Sequence, residues 1–295
     1  MNSPRWSAAH HPHLPRFERI LCAVDVVQPT PGALGFAGLI AKRFGASLEA
    51  LYVGTSADGL ETEKSLERVV QHASGVASAT TSLAVGRPAQ TILARAASLD
   101  ADLIVLGSRQ RSDLGWQFRD DVVRDVSALA GCATLTVHER DAAAVIERIL
   151  VPIDFGPATS CMLAWASTFA LLFGAELQLL HVVSRERHNA RSADRVELAA
   201  IEQRLATRGI TVGSQITVAG SAAIGIEGYN LQEEFDLVVM GLADAPHGPT
   251  RLTRGIISTL RNRMPVPLLS VRAAGFDATR PRRAEAGHLE LGARA

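Results

Sequence analysis

The sequence is short of lysine: only Lys42 and Lys64 occur, so nearly all of the positive charge is arginine. We read that bias as a mark of GC-rich coding rather than of a site. Charge of either sign is not in excess, because thirty basic residues face thirty acidic ones. A balanced chain lacks a general polyanion-binding surface, so nucleic acid is not an expected partner. Cysteines number three, Cys22, Cys132 and Cys161, and no two form a C-x-x-C pair. That excludes a disulfide framework and suits a reduced compartment. No apolar run approaches about 18 residues, and the N-terminus has no apolar signal region, so no membrane span is expected and the expected location is the cytoplasm. Catalytic signatures are missing too. There is no G-x-x-x-x-G-K-[ST], no Gly-Lys pair, no G-x-S-x-G and no H-E-x-x-H. No base and nucleophile pair suggests itself, so the chain is not expected to be an enzyme, or at most a weak ATPase.

What is present is a repeat. Arg19-Ile20-Leu21-Cys22-Ala23-Val24-Asp25 returns as Arg148-Ile149-Leu150-Val151-Pro152-Ile153-Asp154, and Phe44-Gly45-Ala46 returns as Phe173-Gly174-Ala175, both 129 residues later. Gly86, Asp102 and Gly107 return as Gly220, Asp236 and Gly241, now 134 residues later. Order is kept while spacing drifts, as in a duplicated domain. The period is far longer than the roughly 20–50 residues of solenoid repeats.

Each copy alternates short apolar strand patterns with amphipathic helix patterns. In the first copy strands are predicted near 19–25, 47–53, 80–85, 102–107 and 133–137, with helices near 31–45, 60–78, 88–99 and 116–130. In the second, strands fall near 148–154, 176–183, 211–218, 236–241 and 267–271, with helices near 158–173, 192–208, 222–234 and 251–263. Non-alternating apolar strands are buried on both faces. Five βα units per copy therefore predict an α/β fold of two tandem doubly wound domains, each a five-stranded parallel sheet flanked by helices. Residues 18–140 and 147–273 form the two domains. Residues 1–17 and 274–295 read as poorly ordered tails. His10, His11 and His13 lie in such a tail, where solvated histidines are the expected state rather than a metal site.

The ordered set of motifs resembles the universal stress protein family in its tandem form. The set comprises a first strand ending in Asp, a second ending Leu51-Tyr52-Val53 or Leu180-His181-Val182, then Gly86-Arg87-Pro88-Ala89 before a helix, then Ala101-Asp102-Leu103-Ile104-Val105-Leu106-Gly107. The resemblance spans nearly everything except the tails. It implies a Rossmann-like, adenine-nucleotide-binding fold, a stress-response regulatory role, and ATP, with Mg2+, as ligand. By position it implies that Asp25 and Asp154 hold the adenosine part, that Val53 and Val182 line the base pocket, and that Gly107 and Gly241 open the phosphate loop. It also implies that the fifth strands, Ala133–Val137 and Pro267–Val271, meet across a pseudo-twofold axis as an intrachain pseudo-dimer. A homodimer of chains and unidentified protein partners stay open.

The phosphate loops depart from the family pattern of Gly, two residues, Gly, nine residues, Gly, then Ser or Thr. In the first copy Gln110 takes the second glycine position and Asp120-Asp121 replace the closing Gly-Ser. A carboxylate about 4 Å from a phosphate costs on the order of 4 kcal/mol at an effective dielectric near 20, so ATP binding in the family manner is not expected there. In the second copy Asp244, Arg254 and Gly255 take the three later positions, and Arg251, Arg254, Arg261 and Arg263 crowd the segment. If a lobe keeps adenine-nucleotide binding, the expectation is the second, with Arg251 or Arg254 as a charged fork for the anion. The alternative is that these arginines form a solvated helix face. Asp25 and Asp154 have two open readings, ligand contact at the sheet's crevice and cap of the following helix. His181 is expected to be structural. Two alternatives to the regulatory nucleotide-binding reading remain, a protein-interaction module that has lost nucleotide and a slow ATP-hydrolysing enzyme of the same fold.

Overall fold

The computed structural model describes residues 14–26, 29–54, 60–73, 79–108, 117–138, 145–156, 158–184, 191–242, 244–245, 248–249, 251–264 and 266–272. The first lobe runs β1 (Arg19–Ala23), α1 (Pro31–Phe44), β2 (Ser47–Gly54), α2 (Leu60–His72), β3 (Thr80–Val85), α3 (Pro88–Leu99), β4 (Leu103–Ser108), α4 (Gln117–Leu129) and β5 (Ala133–His138). The second runs β6 (Arg148–Ile153), α5 (Thr159–Phe173), β7 (Glu176–Ser184), α6 (Arg191–Ala206), β8 (Val212–Ala219), α7 (Ala222–Glu233), β9 (Leu237–Leu242), β10 (Asp244–Ala245), β11 (Gly248–Pro249), α8 (Arg251–Arg263) and β12 (Leu268–Arg272). Among the described residues, the two-residue strands β10 and β11, an antiparallel pair, are the elements not anticipated from the sequence. The expected tails and their histidines lie mostly outside the described residues.

The repeated tripeptides have a backbone reason. Gly45 and Gly174 end α1 and α5 in the left-handed conformation, at φ +69° and +73°, and each donates its N–H back to the helix, to the carbonyls of Ala41 and Ala170. Glycine takes that conformation without a Cβ penalty. The repeated aspartates have one as well. Asp102 Oδ2 accepts the N–H groups of Glu18 and Arg19 at 2.8 and 2.9 Å. Asp236 Oδ2 accepts those of Glu147 and Arg148 at 2.9 and 2.8 Å. Each carboxylate thus ties the start of its lobe's first strand to its fourth.

All ten long strands join one sheet in the order β3-β2-β1-β4-β5-β12-β9-β6-β7-β8. Within each lobe the neighbours are parallel; at the centre β5 and β12 pair antiparallel, with Leu135 opposite Leu269. This is the expected pseudo-twofold contact, and it covers what would otherwise be two exposed sheet edges. On one face α1, α2, α5 and α6 share a continuous core that crosses between lobes, and on the other face each lobe has its own. Phe17, assigned from sequence to a tail, is 1% exposed in the shared core.

Candidate functional site

The carboxyl ends of β1, β2 and β4 surround a cavity of about 200 Å³ in the first lobe. A strand order that reverses beside β1 opens a crevice at that end of a doubly wound sheet. Three sequence-predicted residues, Asp25, Val53 and Gly107, line it together. Its walls are otherwise apolar, supplied by Leu34, Leu51, Ile92, Leu106 and Val123 among others, with Tyr52 and Thr30 contributing hydroxyls. Cys22 belongs to the lining, but it is fully buried and burial pushes its thiol up to about 12, so it is not a nucleophile. Sequence reasoning missed Thr30, Tyr52 and Ile92. Ile92 carried a signal, since it shares a helical face with Ala96, and both are buried.

Gly107 has a packing reason to be glycine. A Cβ there would lie 2.6 Å from Thr30 Oγ1 and 2.7 Å from Thr30 Cβ. Gly241 repeats the arrangement, with a Cβ falling 2.7 Å from that of Ala158. In both lobes the entry to the first helix presses on the end of the fourth strand. These glycines are therefore required whether or not a phosphate is held. Gly241→Ala is expected to destabilise the protein by about 1–3 kcal/mol through overpacking. Adding Ala158→Gly is expected to restore most of the loss, a coupling that a thermal-denaturation double-mutant cycle measures.

The second lobe builds the same corner differently. Asp154 Oδ1 accepts the N–H of Gly156 at 2.8 Å, and Phe155 between them adopts φ +57°. The aspartate thus serves a local turn. His181 Nδ1 lies 2.7 Å from the Ile153 carbonyl, and its Nε2 lies 3.4 Å from Asp194 of α6. The Phe155 ring packs on the imidazole at 4.8 Å between centroids. These contacts tie together the ends of β6 and β7 and the start of α6 across the mouth. They support the structural reading of His181. Val182 packs on α7, where a Cβ on Gly225 would meet it at 2.5 Å.

The loops give a mixed picture. Asp121 pairs with Arg124 at 2.6 Å, one turn along α4. The side chains of Asp120, Arg251 and Arg254 lie outside the described residues, as does Gln110. Gly255 is exposed on α8. Of the other arginines in that segment, Arg261 is only 5% exposed, and Arg263 donates to Glu227 of α7 at 3.3 Å. Arg261 is thus buried, whereas Arg263 is exposed, as a solvated helix face would be. Among the described residues no group of three or more His, Cys, Asp or Glu could hold a metal ion, and no helix is long and apolar enough to cross a membrane.

Comparison with known proteins agrees with this architecture. The family model of the universal stress protein family matches twice, over residues 16–138 and 146–272. No curated protein matches the chain. Among solved structures, a universal stress protein from Archaeoglobus fulgidus DSM 4304 superposes with a TM-score of 0.68 at 17% identity, covering 86% of this chain and 98% of that one. A functionally unknown protein from Pseudomonas aeruginosa PAO1 gives 0.64 at 16% identity, covering 90% and 95%. The cytoplasmic domain of a prokaryotic cation chloride cotransporter gives 0.55 at 10% identity, covering 89% and 98%. At such identities the likeness is one of fold. The duplicated family match, laid over two five-stranded lobes sharing one sheet, places this chain in the universal stress protein family as a tandem, two-domain member.

Proposed function

We propose that this chain is a non-catalytic stress-response module whose first-lobe crevice takes the nucleoside half of an adenine nucleotide and has little grip on its phosphates. One observation carries this reading: the apolar cavity at the ends of β1, β2 and β4 has Asp25 in its lining, while the sequence puts Asp120-Asp121 where the family pattern closes its phosphate loop with Gly-Ser. An apolar slot of this kind suits a flat base, and a carboxylate at its mouth suits ribose hydroxyls. Carboxylates at Asp120 and Asp121 would repel a triphosphate held in the family manner. Arg251 and Arg254 as anion contacts of the second lobe, the arrangement expected from the sequence, form the competing reading. That lobe's crevice supports nucleoside binding less, because the Phe155 ring and His181, held by Asp194, lie across its mouth. Magnesium enters this proposal only as a companion of ATP.

Titration calorimetry with adenosine and with ATP–Mg2+ tests it. Adenosine and ATP are expected to bind within about threefold of each other, and Asp25→Ala to weaken both by tenfold or more, about 1.4 kcal/mol. ATP binding tenfold tighter than adenosine would instead indicate a phosphate grip, which Arg254→Ala would locate. No binding of either at millimolar concentration favours the protein-contact reading. Phosphate release above a protein-free control favours the ATPase.

A further inference from the structure

At the opposite end of the same strands, under the amino ends of β1, β4 and β5, lies a cavity of about 430 Å³. It is roughly twice the size of the crevice and belongs to none of the residues considered so far for nucleotide. Both lobes build it, since Trp165 of α5 and Arg272 of β12 join residues of the first lobe.

The second lobe explains why the space exists. Where Ala101 precedes β4, the second copy has Phe235 before β9; where Ala130 follows α4, it has Met264 after α8; where Cys132 precedes β5, it has Val266 before β12. Phe235, Met264 and Val266 are 6%, 3% and 5% exposed, so they fill the equivalent corner. Phe235 also stacks on Tyr229 and lies 4.9 Å beneath the guanidinium of Arg148. Arg19 occupies the place of Arg148 in the first lobe, but with an alanine in front of it.

The lining chemistry is not that of an unfilled core. Three guanidinium groups, of Arg16, Arg19 and Arg272, face two carboxylates, Asp100 and Asp102, among the described residues. Arg19 Nε donates to the Asp100 carbonyl at 2.9 Å and its terminal nitrogen to the Asp100 carboxylate at 3.4 Å. Arg272 donates to the Ala128 carbonyl. These contacts hold the Arg19 and Arg272 guanidiniums in place and use only some of the five N–H donors that a guanidinium carries. Asp102 already accepts two backbone N–H groups. Leu93, Ala96 and Ala97 add an apolar wall.

We infer that this cavity is a second ligand site, taking a small organic anion whose apolar body lies against Trp165 and the α3 wall and whose acidic group meets Arg16, Arg19 and Arg272. A mostly apolar pocket with a few convergent charged groups is the usual form of such a site, and guanidinium forks favour carboxylates, sulfonates and phosphates.

The test uses two fluorescent probes on the intact protein, anionic 8-anilinonaphthalene-1-sulfonate and its uncharged analogue N-phenyl-1-naphthylamine. The expected result is saturable binding with at least a tenfold preference for the anion. The combined variant Ala101→Phe, Ala130→Met copies the filling of the second lobe and is expected to weaken sulfonate binding at least tenfold. Arg16→Gln, at a residue outside the sheet, is expected to cut the preference for the anion by threefold or more and keeps the test open if the filled variant does not fold. Excess adenosine is expected to leave the signal unchanged. Equal affinity for the two dyes, unchanged binding in the filled variant, or displacement by adenosine would each overturn the assignment.

Discussion

Replacing Phe17 with alanine is expected to destabilise the protein by about 3–5 kcal/mol, the range for deleting a buried aromatic ring. The ring stacks on Trp165 at 4.3 Å and meets Phe44 and Phe169 edge-on at 4.9 and 6.0 Å. Phe44 ends α1 of the first lobe, while Trp165 and Phe169 lie on α5 of the second, so one side chain from before β1 fills the seam between lobes. Thr168 Oγ1 of α5 also donates to the Pro15 carbonyl at 3.3 Å. In a protein of this size each kcal/mol lowers Tm by about 2–4 °C, so the expected fall is on the order of 10 °C. Phe17→Leu keeps much of the contact and should cost about a third as much. A fall below about 2 °C for Phe17→Ala would show that the seam closes without this residue.

Arg95→Met is expected to cost about 2–3 kcal/mol near neutral pH, less than the full penalty for stranding a buried charge because the arginine side is partly solvated. Glu49 on β2 is 8% exposed. Its carboxylate accepts from Arg95 Nε and a terminal nitrogen at 2.7 and 2.9 Å, and from Ser82 Oγ at 2.5 Å. Burial pushes this carboxyl up, but the Arg95 and Ser82 bonds and the arginine charge together outweigh it and hold it below its ordinary value. A depressed carboxyl stabilises the fold above its unfolded value, near about 4.3, and that contribution is lost as pH falls through the folded value. Without Arg95 burial dominates, so the folded value should rise and the sign reverse: the variant loses stability as pH increases through it. The gap between wild type and variant should thus be widest near pH 7 and shrink toward pH 3.5. Urea midpoints across that range measure it, and a gap independent of pH would remove the ion pair from the explanation.

The crevice shows where reading by position stops. Asp25 and Asp154 end equivalent strands in equivalent motifs. Asp25 lines an open cavity, whereas Asp154 turns back on Gly156. The neighbouring strand ends also differ, with Tyr52 in one lobe and His181, held by Asp194, in the other. Asp194 lies 40 residues after Asp154 in sequence, on a helix whose docking no local pattern encodes. Gly107 and Gly241 were legible as members of a phosphate-loop pattern. Their steric role against Thr30 and Ala158 emerges only when the helix entries are placed.

Chain-local physics was readable in advance. The duplication and the alternation of buried strands with amphipathic helices follow from repeated residues and from periodicity. The broken loop patterns could likewise be read directly against the family spacing. Long-range packing was not readable. Phe17 became the core of the seam, β5 met β12 in antiparallel register, and Ala101 and Ala130 left a corner open that Phe235 and Met264 close in the other lobe. Each of these depends on distances between residues far apart in the chain, set by how helices dock on the sheet, and close packing makes such distances decide which sites are filled and which stay open.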